Sequence, residues 1–181
     1  LTDKKKEIVF VGNLKRFNEE RDIQFIIEGF LEPELSDSHQ LKIIGGPNET
    51  AKILQKNIVN FTNKSNIKIT GRMGRKDTIK NLQKAEIGIM INSSDNKHSL
   101  LYTSPLKYFE YLASDIKIIA TDFPSHKELP FSENMLFFKE NNLNSFIDCL
   151  NKVSAKPQTK LDKSIISLDY RAKKIIEFIN F

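Results

Sequence analysis

The chain has 181 residues, 39% hydrophobic and 28% charged, and its 28 Lys and Arg against 23 Asp and Glu leave a net charge of +5. That length supports one well-buried domain and is short for two, and the mild positive excess fits solvated lysines, an anionic small molecule or a loose membrane contact rather than nucleic acid, which requires a dense basic stripe. A single cysteine, Cys149, excludes an internal disulfide and a Cys-rich metal site; no apolar run approaches the ~18 residues that span a bilayer, and with no signal peptide visible a reducing cytoplasm is the default compartment.

The chain opens LTDKKKEIVF without a methionine, as expected of a piece of something longer. Short apolar, β-branched runs then recur: EIVFVG (7–12), LKIIGG (41–46), IKITG (67–71), EIGIMI (86–91), IKIIATD (116–122) and NMLFF (134–138). Each is bounded by Gly, Asn, Asp or Pro, and several are apolar at consecutive positions, as strands buried on both faces are. Helical spacing fills the gaps. Ile23, Ile26, Ile27 and Phe30 share one face, and Ala51, Ile53, Leu54, Ile58 and Phe61 another. RKDTIKNLQKA, SPLKYFEYLAS and NLNSFIDCLNKV follow, the last placing Cys149 on an apolar, core-facing side. Alternating strands and helices predict an α/β fold: a Rossmann-like, doubly wound parallel sheet of about six strands with helices on both faces. This domain spans 1–153. Residues 154–164 read as a polar, Pro-containing connector. Residues 165–181 read as a helix with Leu168, Ala172, Ile175, Ile176 and Ile179 on one side, packing back on the domain.

In such sheets ligands sit at the carboxyl ends of the strands, where strand order reverses. The loops to inspect therefore begin at Gly12, Gly45, Gly71, Asn92 and Asp122. The dinucleotide fingerprint G-x-G-x-x-G is absent, which disfavours NAD and FAD.

One stretch stands out. In TSPLKYFEYLAS, Ser104 is a plausible N-cap and Pro105 suits the first helical position. Lys107 then falls in the first turn, where a cation costs about 0.3–1 kcal/mol against the helix dipole. A phosphate or diphosphate docked there removes that cost, because backbone N–H groups, the Ser104 hydroxyl and Lys107 converge on it. The alternative is a solvated lysine paired with Glu110 three residues on. Glu110 itself lies along a face of small and apolar residues; as an acceptor it suits ribose hydroxyls, and no paired group marks it as an acid catalyst. The loop after the first strand, GNLKRFNEER, gathers Lys15, Arg16 and Arg21 at the same end of the sheet. These fit a second phosphate, or Arg21 pairs with Glu19 or Glu20. The histidines His39, His98 and His126 are scattered and form no triad or metal spacing. No metal is expected, and no catalytic residue is assigned.

PLKYFEYLASDIKIIATDFPSHKEL resembles the hallmark segment of family-4-type retaining glycosyltransferases with the GT-B fold. That pattern runs P-x-K-x-x-E-Y-[LM]-A-[SA]-G-[KI]-P-[VI]-[VI]-A-[ST]-D, then a loop ending in Glu-Leu. Pro105, Lys107, Glu110, Tyr111, Leu112, Ala113, Ser114, Ala120, Thr121, Asp122 and Glu128-Leu129 match it. IVFVGNL, LKIIGGP, IKITGRM and LDYRAKKIIEFI are similar to the family's first three strands and closing helix, so the likeness covers nearly the whole chain. The resemblance implies the C-terminal, donor-binding domain of a two-domain enzyme, with the N-terminal acceptor domain absent from this chain and the isolated chain inactive. It implies that Glu110 binds the nucleotide ribose, and that Ser104, the amides near Pro105 and Leu106, Lys107, and Arg21 or Arg16 meet the diphosphate. Gly71, Arg72 and Met73 border the base, and Gly12, Asn13 and Lys15 form the first-strand loop. The donor is a UDP-, GDP- or ADP-sugar with no further cofactor, and the acceptor a glycan or lipid. The location implied is cytoplasmic or peripheral at the inner face of the membrane. A non-catalytic module of this architecture, or a nucleotide-sugar epimerase, would look alike. Where relatives carry a sugar-contacting glutamate this chain has Tyr102, and where they carry a loop arginine it has Asn13. Asp115 and Ile118 replace a turn glycine and a proline, and Asp tolerates the left-handed conformation such a turn requires.

Overall fold

The computed structural model describes residues 6–16, 19–20, 23–95, 97–102, 105–157 and 161–179, with backbone only at 16, 19 and 20. Six strands form one parallel sheet: β1 (Lys6–Val11), β4 (His39–Ile44), β5 (Ile67–Thr70), β6 (Ile87–Met90), β7 (Lys117–Thr121) and β8 (Leu136–Phe138). β2 (Lys15–Arg16) and β3 (Glu19–Glu20) make a small antiparallel hairpin just after β1, where only a loop was expected. The sheet order is β5-β4-β1-β6-β7-β8. Chain order runs outward from β1 in one direction and from β6 in the other, so the reversal falls between those two strands. This is the doubly wound arrangement expected from the alternating pattern.

Both faces of the sheet are buried, which explains the consecutive apolar residues. Ile8 and Phe10 of β1 enter one core with α1 (Ile23–Leu31), α3 (Asn48–Asn57) and α8 (Leu143–Ala155). Val9 and Val11 face the other, with Leu82 of α4 (Arg75–Leu82) and with α6 (Leu106–Ala113). Ile23, Ile26, Ile27 and Phe30 of α1 are all buried, at about 1.5–3 kcal/mol for each large side chain. Cys149 is in the first core as expected, and burial pushes its thiol up to about 12. On α3 the stripe is narrower than expected. Ala51, Leu54 and Ile58 are buried, but Ile53 lies off that spacing and Phe61 lies beyond the helix end, and both are exposed.

The chain after α8 departs most from expectation. The helix α9 (Leu168–Ile179) has no buried residue; Leu168, Ile175, Ile176 and Ile179 are exposed, so it does not pack back on this domain. The supposedly polar connector does so instead. Leu161 of the connector and Ile166, from the start of the segment expected to be helical, sit against the second core, and Lys163 pairs with Asp115 at 2.6 Å and donates to the Ala113 carbonyl at 3.0 Å. Among the described residues no helix is long and apolar enough to cross a membrane.

Candidate functional site

The reversal between β1 and β6 opens where their ladder stops. The two strands pair at Ile8 with Ile87 and at Val9 with Gly88. Beyond that, the Tyr111 hydroxyl stands between them: it accepts the Val11 N–H at 3.0 Å and donates to the Ile89 carbonyl at 3.2 Å. Tyr111 is fully buried, so these bonds satisfy backbone groups that would otherwise be stranded. Its ring lies flat against Gly88, where a Cβ would come within 2.6 Å of it. Three residues earlier on the same stripe of α6, buried Tyr108 donates its hydroxyl to the Pro130 carbonyl, and burial raises its pKa. The two tyrosines thus tie α6 to the gap between β1 and β6 and to the segment that joins β7 and β8.

The adjacent stripe carries Lys107 and Glu110. Lys107 Nζ is shielded from solvent and lies 4.6 Å from the centre of the Phe10 ring. It stands 3.5 Å from the point where a Cβ on Gly12 would project. Gly12 has φ +155° and donates its N–H to the Ile44 carbonyl at 3.0 Å. The loops after β1 and β4 cross so closely that a Cβ on Gly45 would collide with the Gly12 carbonyl oxygen. Asn13 and Lys15 are exposed on that loop. Glu110 is half-buried one turn beyond Lys107, and its backbone carbonyl accepts both the N–H and the hydroxyl of Ser114.

Pro105 is the N-cap of α6 rather than its first residue, so the helix starts one position later than expected, with Leu106 exposed at its tip. The first turn still contains Lys107 and no acidic residue. Asp115 adopts φ +54°, the left-handed turn that its place after α6 predicted. Ser104 and Arg21 lie outside the described residues, as does the side chain of Arg16, whose backbone pairs with Glu19. At the end of β5, the Arg72 N–H donates to Asn48 Oδ1 at 2.9 Å, and a Cβ on Gly71 would strike that oxygen. Arg72 is exposed and Met73 packs into the second core. β5 lies two strands from β1, so Arg72 and Gly12 stand at ends about 10 Å apart.

Sequence reasoning passed over His126. It is fully buried in α7 (Pro124–Lys127), beside the end of β7, hydrogen-bonded to Thr121 and Asn92. Burial first, and then the charge of Lys107, hold its pKa below the usual histidine value. No local pattern announces it. His98 is exposed beside Tyr102, which is itself 67% exposed. Among the described residues, no group of three or more His, Cys, Asp or Glu is placed to hold a metal ion.

A family model for group 1 glycosyl transferases matches residues 5–156. The fold is similar to that of an α,α-trehalose-6-phosphate synthase from Burkholderia multivorans, with TM-score 0.63 and 16% identity over 86% of this chain and 36% of that one. A UDP-forming α,α-trehalose-phosphate synthase from Burkholderia xenovorans gives 0.62 and 14% over 88% and 38%. A GtfA/B complex gives 0.61 and 14% over 86% and 30%. At these identities the likeness shows the fold alone, and the chain spans little more than a third of the synthases' length. No curated protein matches it. With its doubly wound sheet and with 152 of its residues inside the family model, the chain belongs to the group 1 glycosyltransferases, as its α6 segment had suggested.

Proposed function

We propose that this chain is the nucleotide-sugar donor-binding domain of a retaining glycosyltransferase that passes a sugar to a glycan, lipid or other acceptor. One observation carries the reading: a shielded lysine in the first turn of α6 lies against the glycine at the end of β1, at the reversal point of the sheet, in a chain of this family. A cation is unfavourable at a helix start unless an anion shares the site. Lys107 and the amides of α6 would neutralise the diphosphate, with Ser104 and a basic residue from the stretch after β1, Arg16 or Arg21, completing the cradle. Glu110 would accept the ribose hydroxyls, and Gly71, Arg72 and Met73 would border the base. During transfer, negative charge builds on the leaving diphosphate, and donors already aimed at it lower the barrier. The acceptor wall would come from a second Rossmann-like domain, so residues 1–181 alone should turn over little or nothing. The whole enzyme would work in the cytoplasm or on the inner face of the membrane.

The test is calorimetric or NMR titration of the chain with UDP, GDP and ADP. UDP comes first because one similar structure is that of a UDP-forming enzyme. Lys107→Ala should weaken diphosphates by about tenfold to a hundredfold, in the range of a charge-assisted hydrogen bond, and leave nucleosides nearly unaffected. Equal losses for both, or no perturbation near Gly12, Lys107 and Glu110 at millimolar diphosphate, would reject the assignment. Exposed Tyr102 and Asn13, at positions where relatives carry charge, favour a non-catalytic module as the second reading. That reading requires the full-length protein to bind the nucleotide without transferring sugar.

A further inference from the structure

The positive charge of this chain is gathered at one edge of the sheet. Residues 48–86, which form α3, β5 and α4, hold nine Lys and Arg against three Asp and Glu, a net charge of +6 that exceeds the +5 of the whole chain. All nine cations are exposed. Residues 110–148, which carry β7 and β8 at the opposite edge, hold three cations against seven acids, a net charge of −4. A field therefore runs across the sheet from the β5 edge to the β8 edge.

The cations are placed unfavourably for the chain itself. Lys76 and Lys80 of α4, with Lys84 just past its end, follow one another at four-residue spacing, and so do Lys52 and Lys56 of α3. Like charges at that spacing destabilise a helix. Asp77 stands among them, 4.0 Å from Lys80 in an ion pair open to solvent. Lysines on an edge strand discourage pairing with a foreign strand, and the Gln55 amide donates to the Ile69 carbonyl of β5 at 2.7 Å. That role accounts for Lys68, which lies on β5 itself, and not for the eight cations on the flanking helices and loops. The same elements expose apolar side chains: Ile53 of α3, Val59 and Phe61 beyond its end, and Ile79 of α4. A free polyanion would meet the charge and leave those groups in water. A bilayer takes both, because lysine ammoniums reach lipid phosphates while their stems and the apolar side chains enter the headgroup layer.

We propose that the β5 edge, with the exposed faces of α3 and α4, docks on the surface of an anionic phospholipid bilayer. Of the two locations given for the whole enzyme, this selects the membrane surface. Docking by the edge leaves the donor crevice uncovered, because the crevice opens at the carboxyl ends of the strands, and it needs no donor to be bound.

The test is sedimentation of the chain with vesicles. Vesicles of about one third phosphatidylglycerol in phosphatidylcholine should carry the chain down at low ionic strength, pure phosphatidylcholine should not, and salt at about 0.5 M should release it. Lys76→Gln, Lys80→Gln and Lys84→Gln together should weaken partition by about tenfold to a hundredfold, whereas Lys→Arg at the same positions should stay within about twofold of wild type. Ile53→Ser with Ile79→Ser should weaken it by about threefold to tenfold with the charge unchanged. Lys139→Gln, beyond the opposite edge, should change it by less than about twofold. The urea midpoint of the triple Gln variant should equal or exceed that of wild type, since its like-charge pairs are relieved, so lost binding does not report unfolding. Three results overturn the inference: no sedimentation with anionic vesicles; sedimentation that survives the triple Gln variant and is abolished by Ile175→Ser with Ile179→Ser on α9; or an RNA oligonucleotide bound as tightly as the vesicles, with no effect of the Ile53 and Ile79 changes. Nucleoside diphosphate binding separates this surface from the donor site. A chain that binds diphosphate and no vesicle loses only the docking edge, and one that binds vesicles and no diphosphate loses only the donor site.

Discussion

The two ends of the sheet hold the same kinds of residue put to opposite use. At the amino end, Lys6 and Lys117 donate to the Ser154 carbonyl at 3.1 and 3.3 Å, and Lys117 also reaches the Lys156 carbonyl. Buried His39 lies 3.0 Å from the Ser154 hydroxyl. These cations meet the negative end of the α8 dipole, so the helix supplies its own counter-charge. At the carboxyl end, Lys107 stands at the positive end of α6, and the backbone beside it narrows to glycine at 12 and 45. A buried histidine with lysines nearby is therefore a poor mark of function by itself. The sign of the helix end beside the lysine distinguishes a cap from a site.

The most severe way to break the carboxyl end is to fill its glycines. Gly45→Val should drive a side chain into the Gly12 carbonyl, and Gly88→Val one into the Tyr111 ring, each costing about 3 kcal/mol or more. Urea midpoints measure the loss, and Gly74→Ala, where nothing stands within 4 Å, serves as the control and should cost little. Next is Tyr111→Phe. It keeps the ring but strands the Val11 N–H and the Ile89 carbonyl, an expected loss of about 1–3 kcal/mol.

Acid should weaken both ends together. Burial is the main cause lowering His39 and His126, aided by Lys6 at one and Lys107 at the other. A folded pKa below the unfolded value means that the unfolded chain binds the proton more readily. Stability is then complete above the unfolded histidine value of about 6.5 and falls as pH drops through it toward the folded values, by up to about 1.4 kcal/mol per pH unit for each histidine. Urea midpoints between pH 7.5 and 5 should show this slope, and His126→Gln should lose part of it.

The smallest effect sharpens the comparison most. Lys117→Ala removes a helix-capping cation and should cost about 1 kcal/mol. Lys107→Ala removes a cation from the wrong end of a dipole, and without ligand it should change stability by less than about 1 kcal/mol in either direction. If Lys107→Ala proves the more destabilising of the two in ligand-free chain, Lys107 belongs to the packing and not to a site.

Much of this was legible in the chain. Six β-branched runs became six strands because burial on both faces demands uninterrupted apolar residues, and the stripe on α1 became its buried face for the same reason. Asp115 was legible as a left-handed turn because few residue types tolerate that backbone. The wrong expectations have a common cause. Ile53, Phe61 and the stripe of α9 satisfy helical spacing, but spacing states only that a face is apolar, not that something covers it. Leu161, in the polar connector, and Ile166, just beyond it, were hidden because they pack singly, with no period to reveal them.

The amino-acid sequence by itself determined the strand and helix alternation, the parallel sheet that follows from it, and the segment from Pro105 to Leu129 that marks the family, since all are local properties of spacing and residue type. Only the tertiary structure decided that Tyr111 closes the gap between β1 and β6, that buried His126 is hydrogen-bonded to Thr121 and Asn92, and that Gly45 and Gly88 have no room for a side chain. Those contacts join residues far apart in the chain, 100 positions for Val11 and Tyr111. A buried polar group takes its partner from whatever the fold brings within hydrogen-bond reach, and no local pattern encodes that choice.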